Sequence, residues 1–523
     1  MNIRTRFAPS PTGYVHVGNI RTALFAFLVA RQDPNGKFIL RIEDTDEARF
    51  VSDAEELILK TLTALDLNWD EGPTLGEKEI GDFAPYHQTA RRKIYEQYAR
   101  KLIAKGRAYI DERSSGEISE LRAKYDSHSK SAENSGNGNQ FRFRAHRPTE
   151  VEEMAFDLEN NVKNPENEDY KKAKKYFENL AENWQIGQTL RFLSHPKNYS
   201  WHDEIMGDLK AGEDAVDDFI VIKTGGLPTY NFAHIVDDHE MKITHVIRGQ
   251  EFISSMPNYL NMYDALEISR PIFAHAPYIL ASNGNKKLGK RDGAKSVTEY
   301  FSDGFIREAL LNFIASMGWN DGTEQEIFSL EELIEKFSLS RVQKSGARFD
   351  EKRLIWLNGQ WIRKLNLDDL YNRCADFWGE NGKKADENFK KKILKIVQER
   401  MKTLRDLPNL TEYFFVRPNP NWQMINENKQ LAKIPRNDLL NLLEIAHEKL
   451  AKLSDEDFKN TEILQNILNE LLAETETKPM ILFSIIRFAL TWAAFSPGLP
   501  ETISVLGRNE TLARIKIAKN SAE

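Results

Sequence analysis

Two well-separated segments carry the residues whose types and spacing can do chemistry. The first is Pro9-Ser10-Pro11-Thr12-Gly13-Tyr14-Val15-His16-Val17-Gly18-Asn19, running from a strand-like stretch into a helix start. A helix start presents unpaired backbone N–H groups and a partial positive charge, which suits a phosphate. Gly18 leaves room for a nucleotide ring or sugar beside the backbone, and His16 can donate to phosphate oxygens that gain charge during reaction. Taken singly, His16 reads as a buried, satisfied histidine; the whole string favours the phosphate reading. The second segment, Lys286-Lys287-Leu288-Gly289-Lys290-Arg291, is a small basic loop. Its lysines are compact charges able to follow a moving pyrophosphate, and Gly284 and Gly289 loosen the backbone. Alone it is a solvated basic loop. With the first segment it makes the second half of one nucleotide site.

Two further groups fall at the C-terminal ends of predicted strands, where ligands bind in open α/β sheets. In Arg41-Ile42-Glu43-Asp44-Thr45-Asp46, Glu43 is suited to an ammonium group. The other group is Pro228-Thr229-Tyr230-Asn231-Phe232-Ala233-His234, followed by Asp237-Asp238 and Val246-Ile247-Arg248-Gly249-Gln250-Glu251. Arg248 is placed to grip a carboxylate bidentately. A structural Arg248–Glu251 ion pair fits the spacing equally well.

The elements that must position these groups follow from pattern. Residues 3–8 and 37–42 read as strands, with an apolar helix over 19–32 between them, ended by the turn Asp33-Pro34-Asn35-Gly36. Strand, helix, strand at this spacing predicts a βαβ unit and a parallel sheet. An amphipathic helix is predicted over 52–65, with Ser52 as N-cap and Glu55 at the capping-box position. Residues 219–222 and 243–247 are expected to complete the sheet after a long insertion. Within that insertion, 114–139 reads as a polar mobile stretch. Residues 149–184 read as charged and helix-leaning, the lysines of 170–176 forming a solvated face in preference to an RNA contact. Beyond Glu299 the chain reads as helical, including 439–453 and 463–472, with no repeat of fixed period.

Composition sets outer limits. A chain of 523 residues implies two to four domains, and 41% hydrophobic with 29% charged residues fits a soluble globular protein, not a disordered one. The single cysteine, Cys374, excludes an internal disulfide and a Cys-rich zinc ribbon and points to the reducing cytoplasm. The N-terminus leads into prolines and does not read as a signal peptide. The best membrane candidate, 479–495, is short and carries Arg487, so it reads as a buried helix. A net charge of −7 leans against an RNA partner, but local patches, not the sum, decide such binding.

In this order the strings resemble the bacterial-type glutamyl-tRNA synthetases of class I. His16-Val17-Gly18-Asn19 is similar to their "HIGH" region and Lys287 to Arg291 to their "KMSKS" region. Phe7 to Gly13, Arg41 to Asp46, Trp69-Asp70-Glu71-Gly72-Pro73, Pro228 to Phe232, Arg307 to Phe313 and Lys402-Thr403-Leu404 are also similar to family strings. The resemblance spans nearly the whole chain apart from about 114–200. It implies an α/β fold: a class I Rossmann-type parallel-sheet catalytic domain with an α+β insertion, then an all-helical anticodon-binding region. The corresponding divisions are catalytic halves at 1–110 and 216–300, an acceptor-stem insertion at 111–215, a helical junction at 301–370 and an anticodon-binding domain at 371–523.

The chemistry implied has two steps. Glutamate attacks the α-phosphate of ATP, giving glutamyl-adenylate and pyrophosphate, and a ribose hydroxyl of the tRNA's terminal adenosine then attacks the activated carbonyl. By family match, Arg6, Ala8, Ser10, Tyr230 and His234 line the glutamate pocket, with Glu43 on the α-ammonium and Arg248 on the α-carboxylate. His16, Lys287 and Lys290 stabilise the transferring phosphates, and Gly18 and Glu251 belong with ATP. No residue is a covalent nucleophile, so positioning and charge stabilisation supply the acceleration. Arg400, Lys402 and Arg405 are the tRNA-contact candidates, on a predicted helix. Magnesium is expected with ATP; zinc is not, since Tyr109-Ile110-Asp111 stands where many relatives carry cysteines. Other departures are Gly289 for the usual serine, His234 at a variable pocket position, and Gln250 where an acid is common. The partners implied are tRNA-Glu, L-glutamate and ATP, with tRNA-Gln left open, for a cytoplasmic monomer without a membrane. Glutaminyl-tRNA synthetases end in β-barrels, which the helical C-terminal third disfavours; a truncated tRNA-base-modifying relative would lack that third. An inactive RNA-binding paralogue is favoured only by Gly289.

Overall fold

Strand β1 (Arg4–Phe7) pairs in parallel with β2 (Lys37–Leu40), setting Arg6 beside Ile39, and helix α1 (Val17–Arg31) makes the crossover. Ile20, Leu24, Phe25 and Leu28 of α1 are fully buried, so tertiary burial drives this helix, whose one-sided amphipathicity is slight. It ends where predicted: Asp33 accepts from the backbone N–H of Ile3 and of Asn35, locking the turn to β1. A Cβ at Gly36 would lie 1.9 Å from the Ala30 carbonyl oxygen, so only glycine closes this turn.

The chain divides into two compact units, Met1–Val297 with Ile314–Phe349, and Thr298–Phe313 with Asp350–Glu523. In this computed structural model the described residues are all but Met1, Tyr14, Phe50, Glu77, 131–140, Asn283, Asn285, 290–294, Ala494, Ala522 and Glu523. In the first unit, a hairpin of β3 (Tyr199–Asp203) and β4 (Gly207–Ala211) precedes helix α2 (Tyr230–Glu240), then β5 (His245–Gly249) and β6 (Ile272–Ala276). The sheet order is β5-β6-β3-β4, with β5, β6 and β3 parallel and β4 antiparallel. The register sets Arg248 of β5 opposite His275 of β6, and Phe273 opposite Asp203. Thr244 ties β5 to β1: its N–H donates to Arg4 O and its Oγ1 accepts from Arg4 N–H.

Several expectations are corrected. The 52–65 helix runs Ala54–Ala64, and Ser52 donates to Asp53 Oδ1 instead of capping. Glu55 leaves the predicted box for His87, whose other ring nitrogen meets Glu79. The apolar run at 219–222 forms a strand, Ile220–Ile222, but pairs antiparallel with Leu190–Phe192, itself antiparallel to Ala108–Ile110, in a separate three-stranded sheet. A short apolar run fits either sheet, and sequence does not name its partner. Ser115–Lys130 of the polar stretch forms a helix, started by a box in which Ser114 and Glu117 cap each other; 131–139 lies outside the described residues. The helix-leaning 149–184 is two helices, Thr149–Asn160 and Glu168–Asn183, the second capped by Asn167. Its Lys171, Lys172, Lys174 and Lys175 are exposed while Ala173 and Phe177 are buried, in keeping with a solvated face. Asp111 forms ion pairs with Arg113 and the buried Arg191.

The second unit contains only helices among its described residues, around a core that includes Leu443, Leu468, Ile485 and Ile503. Residues 479–495 hold the helix Pro479–Thr491, and no helix of the described residues is long and apolar enough to cross a membrane. Arg400, Lys402 and Arg405 are exposed, but not on one helix: they fall in and between two 3-10 turns, Gln398–Arg400 and Leu404–Asp406. Thr403 caps the second turn reciprocally with Asp406, which breaks any continuous helix here.

The first unit is knotted electrostatically at α2. Asp237, fully buried, accepts from Gln88, Arg91 and Tyr95, and Asp238 accepts from Arg6 at 3.0 Å and Arg41 at 2.8 Å. Removing one member of such a network strands the others' charges. Asp237→Ala should therefore cost about 3–5 kcal/mol, read as a lower urea midpoint of the full-length chain, with Asp237→Asn costing less. An unchanged midpoint for Asp237→Ala would show that the network contributes nothing.

Candidate functional site

A cavity of about 710 Å³ opens at the C-terminal ends of β1, β2, β5 and β6 and the N-terminus of α1. The two separated segments meet there. His16 bridges to Ser296 in antiparallel fashion, and Lys287 bridges to Leu280, so the loop after β6 folds back onto the start of α1. Gly13, at φ +147°, allows the turn out of β1, and Glu43 N–H donates to Pro9 O, pinning that turn to the end of β2. Arg6, Ala8, Ser10, His16, Gly18, Glu43, Tyr230, Arg248, Glu251 and Lys287 all line this one cavity. His234 stands behind it, its ring stacked on Tyr230 with centroids 4.6 Å apart. Lys290 lies outside the described residues.

His16 is the N-cap of α1. Its Nδ1 accepts from Gly18 N–H at 3.0 Å while Asn19 Oδ1 accepts from His16 N–H, a reciprocal cap built with an imidazole. With Nδ1 accepting, the neutral ring carries its proton on Nε2, which makes that nitrogen a donor. Gly18 has a local role beyond leaving space for a ligand: a Cβ there would stand 2.9 Å from the His16 ring.

The end of the cavity around Arg248 has an unusual electrostatic layout. Arg248 is 5% exposed, and no carboxylate pairs with it among the described residues; the Arg248–Glu251 pair that spacing allowed is not formed. Its Nε donates to His275 Nε2 at 3.1 Å, Nη1 meets His234 Nε2 at 3.3 Å, and Phe252 and Tyr259 rings sandwich it at 4.9 Å. Burial and the neighbouring guanidinium pull His234 well below the usual imidazole range, so it stays neutral. Glu43 lies close by on the buried side. Desolvation pushes its carboxyl up to about 7, although Arg41 Nη2 donates to it at 3.1 Å. Asp238 is also buried, yet Arg6 and Arg41 hold it well below the carboxylate range.

At the other end, Lys287 Nζ lies 3.1 Å from Glu251 Oε1, both about half exposed, so this lysine has an acidic partner within the cavity. Arg21, which pattern reading passed over, lines the same end. It is 4% exposed, its Nη groups donate to the Met317 and Pro277 carbonyls, and burial brings it down to about 10. An arginine inside an otherwise apolar helix was the available signal. His275 and Asp203 were also missed; nothing in the sequence singles out one histidine of β6 before its register with Arg248 is known.

The catalytic-domain family model for tRNA synthetases class I (E and Q) matches residues 2–356, and an anticodon binding domain model matches 369–519. A glutamate–tRNA ligase of Clostridium botulinum is 39% identical over 98% of this chain and 97% of its own length. One from Clostridium novyi is 37% identical, also over 98% of this chain and 97% of its own. The crystal structure of a glutamate tRNA ligase from Elizabethkingia meningosepticum in complex with its amino acid superposes with a TM-score of 0.82 at 29% identity, covering all of both chains.

The His16 cap offers a direct test of this end of the cavity. Gly18→Ala should push the imidazole aside and remove its bond to the α1 N-terminus, at about 0.5–2 kcal/mol. A thermal midpoint equal to that of the unsubstituted protein would show that the ring and the glycine are not coupled.

Proposed function

The chain belongs to the class I tRNA synthetases of the E and Q group, and from that membership we propose that it activates L-glutamate with ATP and transfers it to tRNA-Glu. The observation that carries the substrate reading is that Arg248 and Glu43 line one cavity without pairing with each other. A buried guanidinium with no acidic partner among the described residues calls for an anion, and a buried carboxyl lifted to about 7 calls for a cation. An amino acid supplies both, its carboxylate to Arg248 and its ammonium to Glu43. Arg6, with Ser10 and Tyr230, then reads the side-chain carboxylate, and His234 acts through Arg248 and Tyr230.

His16 Nε2, Lys287 and Lys290 stabilise the phosphates as charge shifts to pyrophosphate, with Lys287 leaving Glu251 to do so. Glu251 and Gly18 belong to the adenosine side. Among the described residues no group of three or more His, Cys, Asp or Glu is placed to hold a metal, whereas this end of the cavity supplies cations. Magnesium in this reading travels on the ATP phosphates, where it offsets their charge. The exposed Arg400, Lys402 and Arg405 supply tRNA contacts from the second unit, since splayed loop bases are what proteins read on RNA. The reading includes a monomer working in the cytoplasm.

Aminoacylation with labelled glutamate, ATP and magnesium on separate tRNA-Glu and tRNA-Gln tests the reading. Charging of tRNA-Glu supports it, tRNA-Gln charging in addition marks a non-discriminating enzyme, and charging of neither overturns it. A pH profile tests Glu43 separately. Because only the ionised carboxyl attracts the ammonium, KM for glutamate should rise as pH falls below about 7, approaching tenfold per pH unit. Glu43→Gln should raise KM throughout and flatten the profile; a wild-type KM independent of pH would remove Glu43 from ammonium binding.

A further inference from the structure

Arg248 is oriented by a chain of groups that reaches out of the cavity and into the β3–β4 corner. Asp203, fully buried at the end of β3, uses its two oxygens differently. Oδ1 accepts from the backbone N–H groups of Ile205 at 3.1 Å, Met206 at 2.8 Å and His275 at 3.2 Å. Oδ2 faces His275 Nδ1 at 2.6 Å. On the far side of the same ring, His275 Nε2 accepts from Arg248 Nε at 3.1 Å. A guanidinium only donates, so His275 Nε2 must present a lone pair, and its single proton must sit on Nδ1 and point to Asp203. Both the carboxylate and the ring are enclosed, with His275 at 0% exposure.

We propose that Asp203 and His275 form a positioning dyad for Arg248, fixing the tautomer that aims the guanidinium at the substrate's α-carboxylate while leaving its charge unspent. The proposal rests on the reading of Arg248 as the carboxylate-binding residue. A carboxylate in direct contact would hold Arg248 as firmly but would cancel the charge that the substrate must meet. A neutral imidazole orients it through a lone pair and leaves it cationic. His234 does the same from the other side, its Nδ1 facing Tyr230 O at 2.6 Å and its Nε2 facing Arg248. The role of Asp203 is to prevent His275 from adopting the opposite tautomer, in which an Nε2–H would confront the Arg248 N–H.

The test is Asp203→Asn, an isosteric change. The three backbone N–H groups keep the amide oxygen on the Oδ1 side, so the amide NH2 falls against His275 Nδ1 and drives the proton to Nε2. Glutamate-dependent ATP–pyrophosphate exchange by the full-length enzyme should show KM for glutamate raised about tenfold or more, with kcat and KM for ATP within about twofold. His275→Gln offers Arg248 an oxygen whatever stands at 203, and should stay within about threefold of wild type. The double variant D203N/H275Q should then behave like H275Q. His275→Leu removes the acceptor, keeps Asp203 and should reproduce the rise in glutamate KM, carrying the test if D203N does not fold. An unchanged glutamate KM in D203N or H275L, or a double variant as impaired as D203N, would overturn the dyad. No glutamate-dependent exchange by the unsubstituted enzyme would overturn the functional reading itself, and the dyad with it.

Discussion

Everything in the first unit hangs on two adjacent aspartates. Asp237 and Asp238, next to each other on α2, accept from Arg6 at the end of β1, Arg41 just past β2 and Arg91 before the helix Arg92–Ala104. Arg6 and Arg41 come from neighbouring strand ends and Arg91 from the 3-10 turn Gln88–Arg91, and all are buried. A network like this gives little net stability against an apolar alternative of the same shape. What it fixes is direction: the guanidiniums can be satisfied together only when the strand ends converge on α2. The floor of the cavity is therefore set by electrostatic satisfaction, and the apolar residues of α1 and the sheet fill in around it.

That constraint explains how two segments some 270 residues apart become one site. The parallel pairs β1-β2 and β5-β6 belong to separate sheets tied where Thr244 meets Arg4, and both turn their C-terminal ends to the cavity, so the residues following β1, β2, β5 and β6 are neighbours whatever lies between them in sequence. The insertion leaves from one strand end and returns at another, and it can be long without disturbing those ends. The bridge between His16 and Ser296 then joins the loop after β6 to the start of α1. A phosphate bound there would meet a helix N-terminus and side-chain cations from both halves of the chain.

Much of this was legible in the sequence, for identifiable reasons. The βαβ unit was readable because the turn after α1 needs Asp33 and Gly36 and announces itself. The residues that line the cavity were readable because strand-end strings of this kind are distinctive. Less legible was anything that depends on which strand pairs with which. The run Ile220–Ile222 is as apolar as a central strand, yet it joins a separate antiparallel sheet. His275 and Asp203 acquire meaning only through the register that sets Arg248 opposite His275. Capping failed at Ser52 because His87 offered Glu55 a stronger partner than a backbone N–H, a tertiary interaction with no local signature.

In the proposed reading the direct contacts of the buried site, not its charge balance, supply the argument for glutamate over glutamine. Arg6, Arg41 and Arg91 each touch Asp237, Asp238 or Glu43, whereas Arg248 touches no carboxylate among the described residues and meets the buried Asp203 only through His275. With Asp203 counted, four guanidiniums balance four carboxylates once Glu43 is ionised, so Arg248 stands out by its lack of direct acidic contact and not by number, held as it is by neutral imidazoles. In the proposed reading the α-carboxylate of glutamate meets Arg248, its ammonium meets Glu43 and its side-chain carboxylate meets Arg6. Glutamine would make the first two of these contacts, but its amide loses one acceptor and sets an N–H group against a guanidinium that only donates. Both defects are penalties of desolvation, which in a closed cavity weigh far more than the same mismatch would on an open surface. In this reading, discrimination between two side chains of nearly the same shape comes from the acceptors that a buried guanidinium requires, and no second, hydrolytic site is needed to enforce it.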